Sequence, residues 1–220
     1  MRRLAILFAA LVWSCASQRP AASPQPAGGS SSAASPPQQP VEADEYTRYE
    51  LLAPESSSFH ILYEVTAISP GATFFFNPIR KGSVASGERV VDRMSGEPLA
   101  FEVVSGDEAH RSGLSDADRD TDYIRIRLPR PVPADGGQVR LLIDKTYKDA
   151  KSYFADGGVI VFTRSLGIRR NSVVLPAGYE LLECNVPSQV LSEADGRILV
   201  SFMNPGPGPA ALTLKARRLP

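Results

Sequence analysis

Between residues 157 and 204 the chain is a series of short apolar runs, each cut off by Gly, Pro, Asn or Asp, and this punctuation constrains the fold more than any other feature. Val159-Ile160-Val161-Phe162, Val173-Val174-Leu175, Tyr179 to Cys184 and Ile198 to Met203 are short and rich in β-branched and aromatic residues. Runs of that kind between turn residues read as strands. Upstream the rhythm continues. Phe59, Ile61, Tyr63 and Val65 alternate with His60, Leu62, Glu64 and Thr66, so the two sets take opposite faces of a pleated strand. Tyr123 to Arg127 alternates as cleanly, with Arg125 and Arg127 toward water, and residues 139–147 resume after a Pro/Gly/Asp connection.

Local chemistry refines the expectation. Thr73-Phe74-Phe75-Phe76, apolar on both faces, predicts a central strand, and Ser95-Gly96-Glu97 predicts a hairpin turn joining Val90-Val91 to residues 99–104. Residues 148–154 suit a short helical turn, residues 105–122 a long polar loop, and the Pro/Gly run 204–209 a loop before a closing strand at 211–216. No segment sustains about twelve residues of helical periodicity with caps. The expected fold is therefore all-β, a β-sandwich of about ten to twelve mostly antiparallel strands over residues 44–220.

The N-terminus carries an address. Arg2 and Arg3 precede the apolar run Leu4 to Trp13 and the small residues Ser14-Cys15-Ala16-Ser17, the layout of an export signal over residues 1–16. The run is too short to cross a bilayer of roughly 30 Å as a helix. Val12-Trp13-Ser14-Cys15 resembles the bacterial lipobox, although Trp13 is bulkier than the pattern prefers, and the resemblance implies lipidation of Cys15 and a membrane anchor. Cleavage after Ala16 is the alternative, giving a secreted chain. Residues 17–43 are almost wholly Ser, Ala, Pro, Gly and Gln, a composition expected to stay disordered as a tether because it cannot bury enough apolar surface to offset chain entropy.

Cysteine and charge counts close off other classes. Cys184 is the single cysteine besides Cys15, so once Cys15 is lipidated or removed the fold must rest on its apolar core. Cys184 itself is expected to be a small buried hydrophobe. Lys and Arg number 24 against 24 Asp and Glu, a balance that gives no electrostatic reason to expect nucleic acid as a partner. With two histidines, His60 and His110, and no HExxH or Gly-x-Ser-x-Gly sequence, neither a zinc-peptidase pair nor a nucleophile elbow is present.

What remains is a short set of candidates. Asp116, Asp118, Asp120 and Asp122 space carboxylates as in the first half of a Ca²⁺ loop, but Thr121 stands where that loop needs Gly and Arg127 where it needs Glu. The expectation is no cofactor, with Ca²⁺ as the alternative. Arg164, Arg169 and Arg170, around the turn Leu166-Gly167-Ile168, could present guanidinium groups to a carboxylate, phosphate or sugar. Tyr147, Tyr153 and Phe154 could add a stacking surface, though aromatics at strand ends more often cap a core.

The strand at residues 46–52, the strand at 59–66, and Arg127-Leu128-Pro129-Arg130-Pro131-Val132-Pro133 leading through Gly136-Gly137 to residues 139–143 together carry a family likeness. Their order resembles the N-terminal β-domain of aminopeptidase-N-like metallopeptidases. Those enzymes keep zinc on a separate HExxH domain, so the resemblance implies a related non-catalytic β-module and transfers no functional residue. The expectation is an exported cell-envelope lipoprotein, facing the periplasm or the cell surface, that binds an envelope protein or glycan without catalysis. The alternative is a secreted hydrolase using the acidic loop 114–122 with His110.

Overall fold

Alternation of apolar residues sets the strands. In the computed structural model, which describes residues 44–206 and 208–220, the first are β1 (Tyr46–Leu51), β2 (Ser58–Ala67), β3 (Phe74–Pro78), β4 (Val84–Asp92) and β5 (Phe101–Val104). A six-residue helix α1 (Gly106–Arg111) precedes β6 (Tyr123–Arg127), β7 (Val139–Lys148), β8 (Tyr153–Asp156), β9 (Val159–Leu166) and β10 (Arg170–Val174). β11 (Tyr179–Cys184), β12 (Gln189–Ser192), β13 (Ile198–Met203) and β14 (Ala210–Arg218) complete the chain. Cys15, the export signal and the tether lie outside the described residues.

The strands form three sheets. One has seven strands in the order β12-β13-β10-β1-β2-β7-β4, one has four in the order β11-β14-β9-β8, and one has three in the order β3-β6-β5. All pairings are antiparallel except β1 with β10. The described residues form the expected all-β sandwich, cut into fourteen strands rather than about ten to twelve. In β2 the face carrying Phe59, Ile61, Tyr63 and Val65 is buried as its alternation demands, and these side chains join one core cluster with residues of all three sheets, such as Phe162 and Ile124. The rings of Phe59 and Phe162 meet edge to face at 5.3 Å, and those of Tyr49 and Phe162 at 5.5 Å, so the seven- and four-stranded sheets lock through aromatics. Each such buried ring is worth about 2 to 3 kcal/mol by removal from water.

Residues 148–154 keep the single helical turn, with the Tyr153 and Ser152 amides donating to the Asp149 carbonyl at 2.9 and 3.1 Å, while the Asp149 carboxylate accepts from the Lys151 and Ser152 amides and the chain passes directly into β8. Several other local expectations change. β3 is not central but an edge of the three-stranded sheet, with its three phenylalanines half-buried. The turn at Ser95-Gly96 forms, with Gly96 at φ +78°, yet only a bridge between Val91 and Pro98 follows it, and β5 leaves to pair with β6 instead. The polar stretch 105–122 holds α1, capped by the Ser105 hydroxyl, which accepts from the Glu108 amide. A Cβ on Gly106 would lie 2.1 Å from the Asp118 carbonyl oxygen, so glycine is needed where α1 packs on the acidic loop. Cys184 is half-buried on β11 and unbonded to sulfur.

Candidate functional site

Two strands break their own apolar alternation toward the same place. On β7 the core face runs Val139, Leu141, Ile143, Lys145, Tyr147. On β9 it runs Ile160, Phe162, Arg164, Leu166. A cation thus occupies one core-facing position in each, and Lys145 is 4% exposed and Arg164 7%. Buried charges are costly unless paired and hydrogen-bonded, so their partners decide what they can do.

Arg164 is braced from behind. Its Nη1 donates to Asp149 Oδ2 at 3.2 Å and to Ser152 Oγ at 3.3 Å, while its Cζ lies 5.0 Å from the Phe59 ring centroid and 5.8 Å from that of Tyr147. Its buried Nε has no acceptor among the described residues. Burial pulls its pKa below the ordinary guanidinium value. Burial pushes the Asp149 carboxyl up, but hydrogen bonds from Ser152 and Ser83 and the charge of Arg164 outweigh it, holding the group below its ordinary value.

Lys145 is held more sparsely. Its Nζ donates to Asn77 Oδ1 at 2.5 Å and stands 4.8 Å from the Tyr147 ring centroid. Among the described residues no carboxylate forms an ion pair with it; Glu88 on β4 acts on it only from beyond that range. Burial brings its pKa down to about 8, and the Arg164 charge adds to the fall.

Both cations line a cleft of about 500 Å³, within the size range of small-molecule sites. The cleft lies where the three sheets meet: β1, β2 and β7 form its floor, Arg164 of β9 one side, and residues 77–81, the end of β3 and the turn after it, its roof. Tyr49, Tyr63, Ile61 and Ile168 supply apolar wall. At the rim Lys81 pairs with Asp118 at 3.1 Å, and Arg80 donates to the Ser165 carbonyl at 3.1 Å.

The residues singled out in the sequence scatter. Arg164 is in the cleft, but Arg169 and Arg170 are exposed elsewhere, with Arg170 bonded to Asp44 and to the Glu45 carbonyl. A groove of about 610 Å³ beside Arg170 has no other charged residue in its lining among the described residues. Tyr147 lines the cleft, whereas Tyr153 is a core residue whose hydroxyl donates to the Leu52 carbonyl. Asp116, Asp118, Asp120 and Asp122 are all exposed. Asp118 accepts from the Asp120 amide and the Thr121 hydroxyl and turns to Lys81. Among the described residues no three His, Cys, Asp or Glu side chains converge as a metal site. His110 is exposed on α1 without a side-chain bond to these aspartates, and His60 bonds Asp144 on the outer face of the seven-stranded sheet. Lys145 and Asn77 were not among the candidates, although a Lys two positions after Ile143 in an alternating strand is a readable signal.

Fold and cleft define a β-sandwich with a charged, aromatic-walled recess between its sheets. No protein-family model matches the sequence, and no curated protein is similar to it. Solved structures share the fold. The M1 zinc metallopeptidase from Deinococcus radiodurans aligns with a TM-score of 0.50 at 12% identity, over 80% of this chain and 42% of that one. A mutant of it bound to a Tyr-Ser-Ala substrate aligns to the same extent. An aminopeptidase N family protein from Idiomarina loihiensis aligns with a TM-score of 0.44 at 8% identity, over 78% of this chain and 29% of that one. This chain therefore spans less than half the length of the Deinococcus radiodurans metallopeptidase, and at 12% identity the likeness is one of fold.

Proposed function

We propose that this chain is an exported cell-envelope lipoprotein, anchored through Cys15 and spaced from the membrane by residues 17–43, whose β-sandwich binds an envelope partner without catalysing a reaction. The observation that carries the binding half is the cleft, where Lys145 and Arg164 occupy core-facing positions that apolar residues would fill at lower cost. The export half is supported by Arg2, Arg3, the apolar run and the lipobox-like Val12 to Cys15. The non-catalytic half is supported by a sequence without HExxH or Gly-x-Ser-x-Gly and by the resemblance to a metallopeptidase β-module.

The test is affinity capture from the envelope fraction with the full chain, wild type beside Lys145→Met. A specific protein or glycan is expected with wild type, and capture of none removes the binding reading. Palmitate labelling that is lost in Cys15→Ala is expected in the same cells, and its absence removes the anchor.

A further inference from the structure

We propose that the cleft is a carboxylate site: a carboxyl head sits against Lys145 Nζ and the Arg164 guanidinium, and an apolar or aromatic body lies against the tyrosine and isoleucine walls. This deepens the binding reading above and rests on it. The argument is one of charge and free valence. Arg164 is neutralised by Asp149 and Lys81 by Asp118, which leaves two lining cations without an ion pair among the described residues, the buried Lys145 at the floor and the exposed Arg80 at the rim. A carboxylate at the floor meets the buried one of these two charges, where it is shielded from water, whereas Arg80 is solvated. Arg164 still holds an unused donor in Nε, and Nζ of Lys145 has given only one hydrogen bond, to Asn77.

Two donors from different strands, held by packing on the Tyr147 ring, suit the two oxygens of a carboxylate. The Asp149–Ser152 brace fixes the guanidinium, so little side-chain entropy is left to lose on binding. The walls decide the rest of the ligand. Tyr49, Tyr63, Ile61 and Ile168 offer few hydrogen bonds, and burial of apolar area against them contributes about 25 cal/mol per Å². A carboxylate with such a body has two sources, a free organic acid and the C-terminal residue of an apolar-ended peptide.

The experiment is calorimetric titration of the full chain with phenylpropionate, phenylpropionamide, N-acetyl-Gly-Gly-Phe and inorganic phosphate. Phenylpropionate or the peptide is expected to bind, with the amide about tenfold or more weaker, since it keeps the body and loses the charge. Tighter binding of the peptide than of phenylpropionate assigns the site to a chain terminus, and the reverse assigns it to a free acid. Lys145→Met is expected to lower affinity about tenfold or more, and Lys148→Met, on the solvent face of the same strand, to leave it unchanged. Equal binding of acid and amide, binding of phosphate alone, or no binding at millimolar concentration each overturns the carboxylate site. Should the envelope partner still be captured by Lys145→Met, the carboxylate inference fails while the binding-module reading stands.

Discussion

Lys145 Nζ donates to Asn77 Oδ1 at 2.5 Å, and this bond ties the core face of the seven-stranded sheet to the end of an edge strand in the three-stranded one. A lysine that could have been a leucine thus joins two sheets through an ammonium and an amide, and places a charge at their junction. The cost of that choice is measurable.

Lys145→Met is expected to stabilise the fold near neutral pH. Burial brings the folded pKa down to about 8 from the ordinary 10.5. The unfolded chain therefore binds the extra proton between those values, and wild-type stability rises with pH through that window, with the full cost present below about 8. The groups around Nζ are Asn77 from β3, Tyr147 on its own strand, Arg164 from β9 and Glu88 from β4. Relief of about 2 to 3 kcal/mol of burial cost, less about 1 to 2 kcal/mol for an Asn77 oxygen left without its donor, gives a net gain of about 1 kcal/mol. The gain reverses by about pH 10, where wild-type Lys145 is neutral. Urea unfolding at both pH values measures this, and a loss of about 2 kcal/mol or more at neutral pH would sink it.

Asp149→Ala is expected to cost about 3 to 5 kcal/mol, because it strands Arg164 as a buried cation. It also removes acceptors from Ser83, Ser152 and the Lys151 amide. Adding Arg164→Met should recover most of the loss in the urea midpoint. For the wild type the sign is set by a depressed carboxyl: its contribution is present above the ordinary carboxyl pKa and is lost as pH falls through the lower folded value. Acid titration followed by circular dichroism should show Asp149→Ala losing less stability toward low pH than wild type.

Much of this architecture was legible from alternation. β2, β6, β7 and β9 bury the faces that period-two patterning assigns, because a pleated strand offers one face to the core. What escaped was decided by distant partners. β5 carries a strand-like sequence whether it pairs with β4 or β6, and nothing local tells which. β12, with all four residues exposed, has no buried face to leave a pattern. The cleft was half legible: Arg164 was named for its guanidinium, but its neighbours in sequence, Arg169 and Arg170, point elsewhere, since the turn after Leu166 carries them off the core face. Lys145 and Asn77 are 68 positions apart and meet only through the sheet packing.

Calcium is expected to leave the melting temperature unchanged. The acidic run is held by its own turn, with Asp118 oxygens taken up by the Asp120 amide, the Thr121 hydroxyl and Lys81, whereas Ca²⁺ needs six to eight converging oxygens. Thermal melts of the full chain with millimolar Ca²⁺ and with EDTA check this. A rise with Ca²⁺ that is lost in Asp116→Asn and Asp120→Asn would restore the run as a cation site.

Phe162→Ala is expected to cost about 3 to 5 kcal/mol, since the ring is fully buried and its loss leaves a cavity between the two larger sheets. Phe162 contacts Phe59, Tyr49 and Tyr153 at centroid distances of 5.3, 5.5 and 6.5 Å, so one truncation loosens β1, β2 and β8 together. Arg164 follows it by two positions on the same face, packed on the Tyr49 and Phe59 rings that Phe162 supports. The cavity therefore frees the guanidinium as well as weakening the fold. Affinity for phenylpropionate should fall along with the urea midpoint in Phe162→Ala, whereas Lys145→Met should lower affinity while the midpoint at neutral pH rises. An affinity unchanged by Phe162→Ala, with the midpoint lowered, would mean that the aromatic packing does not position Arg164.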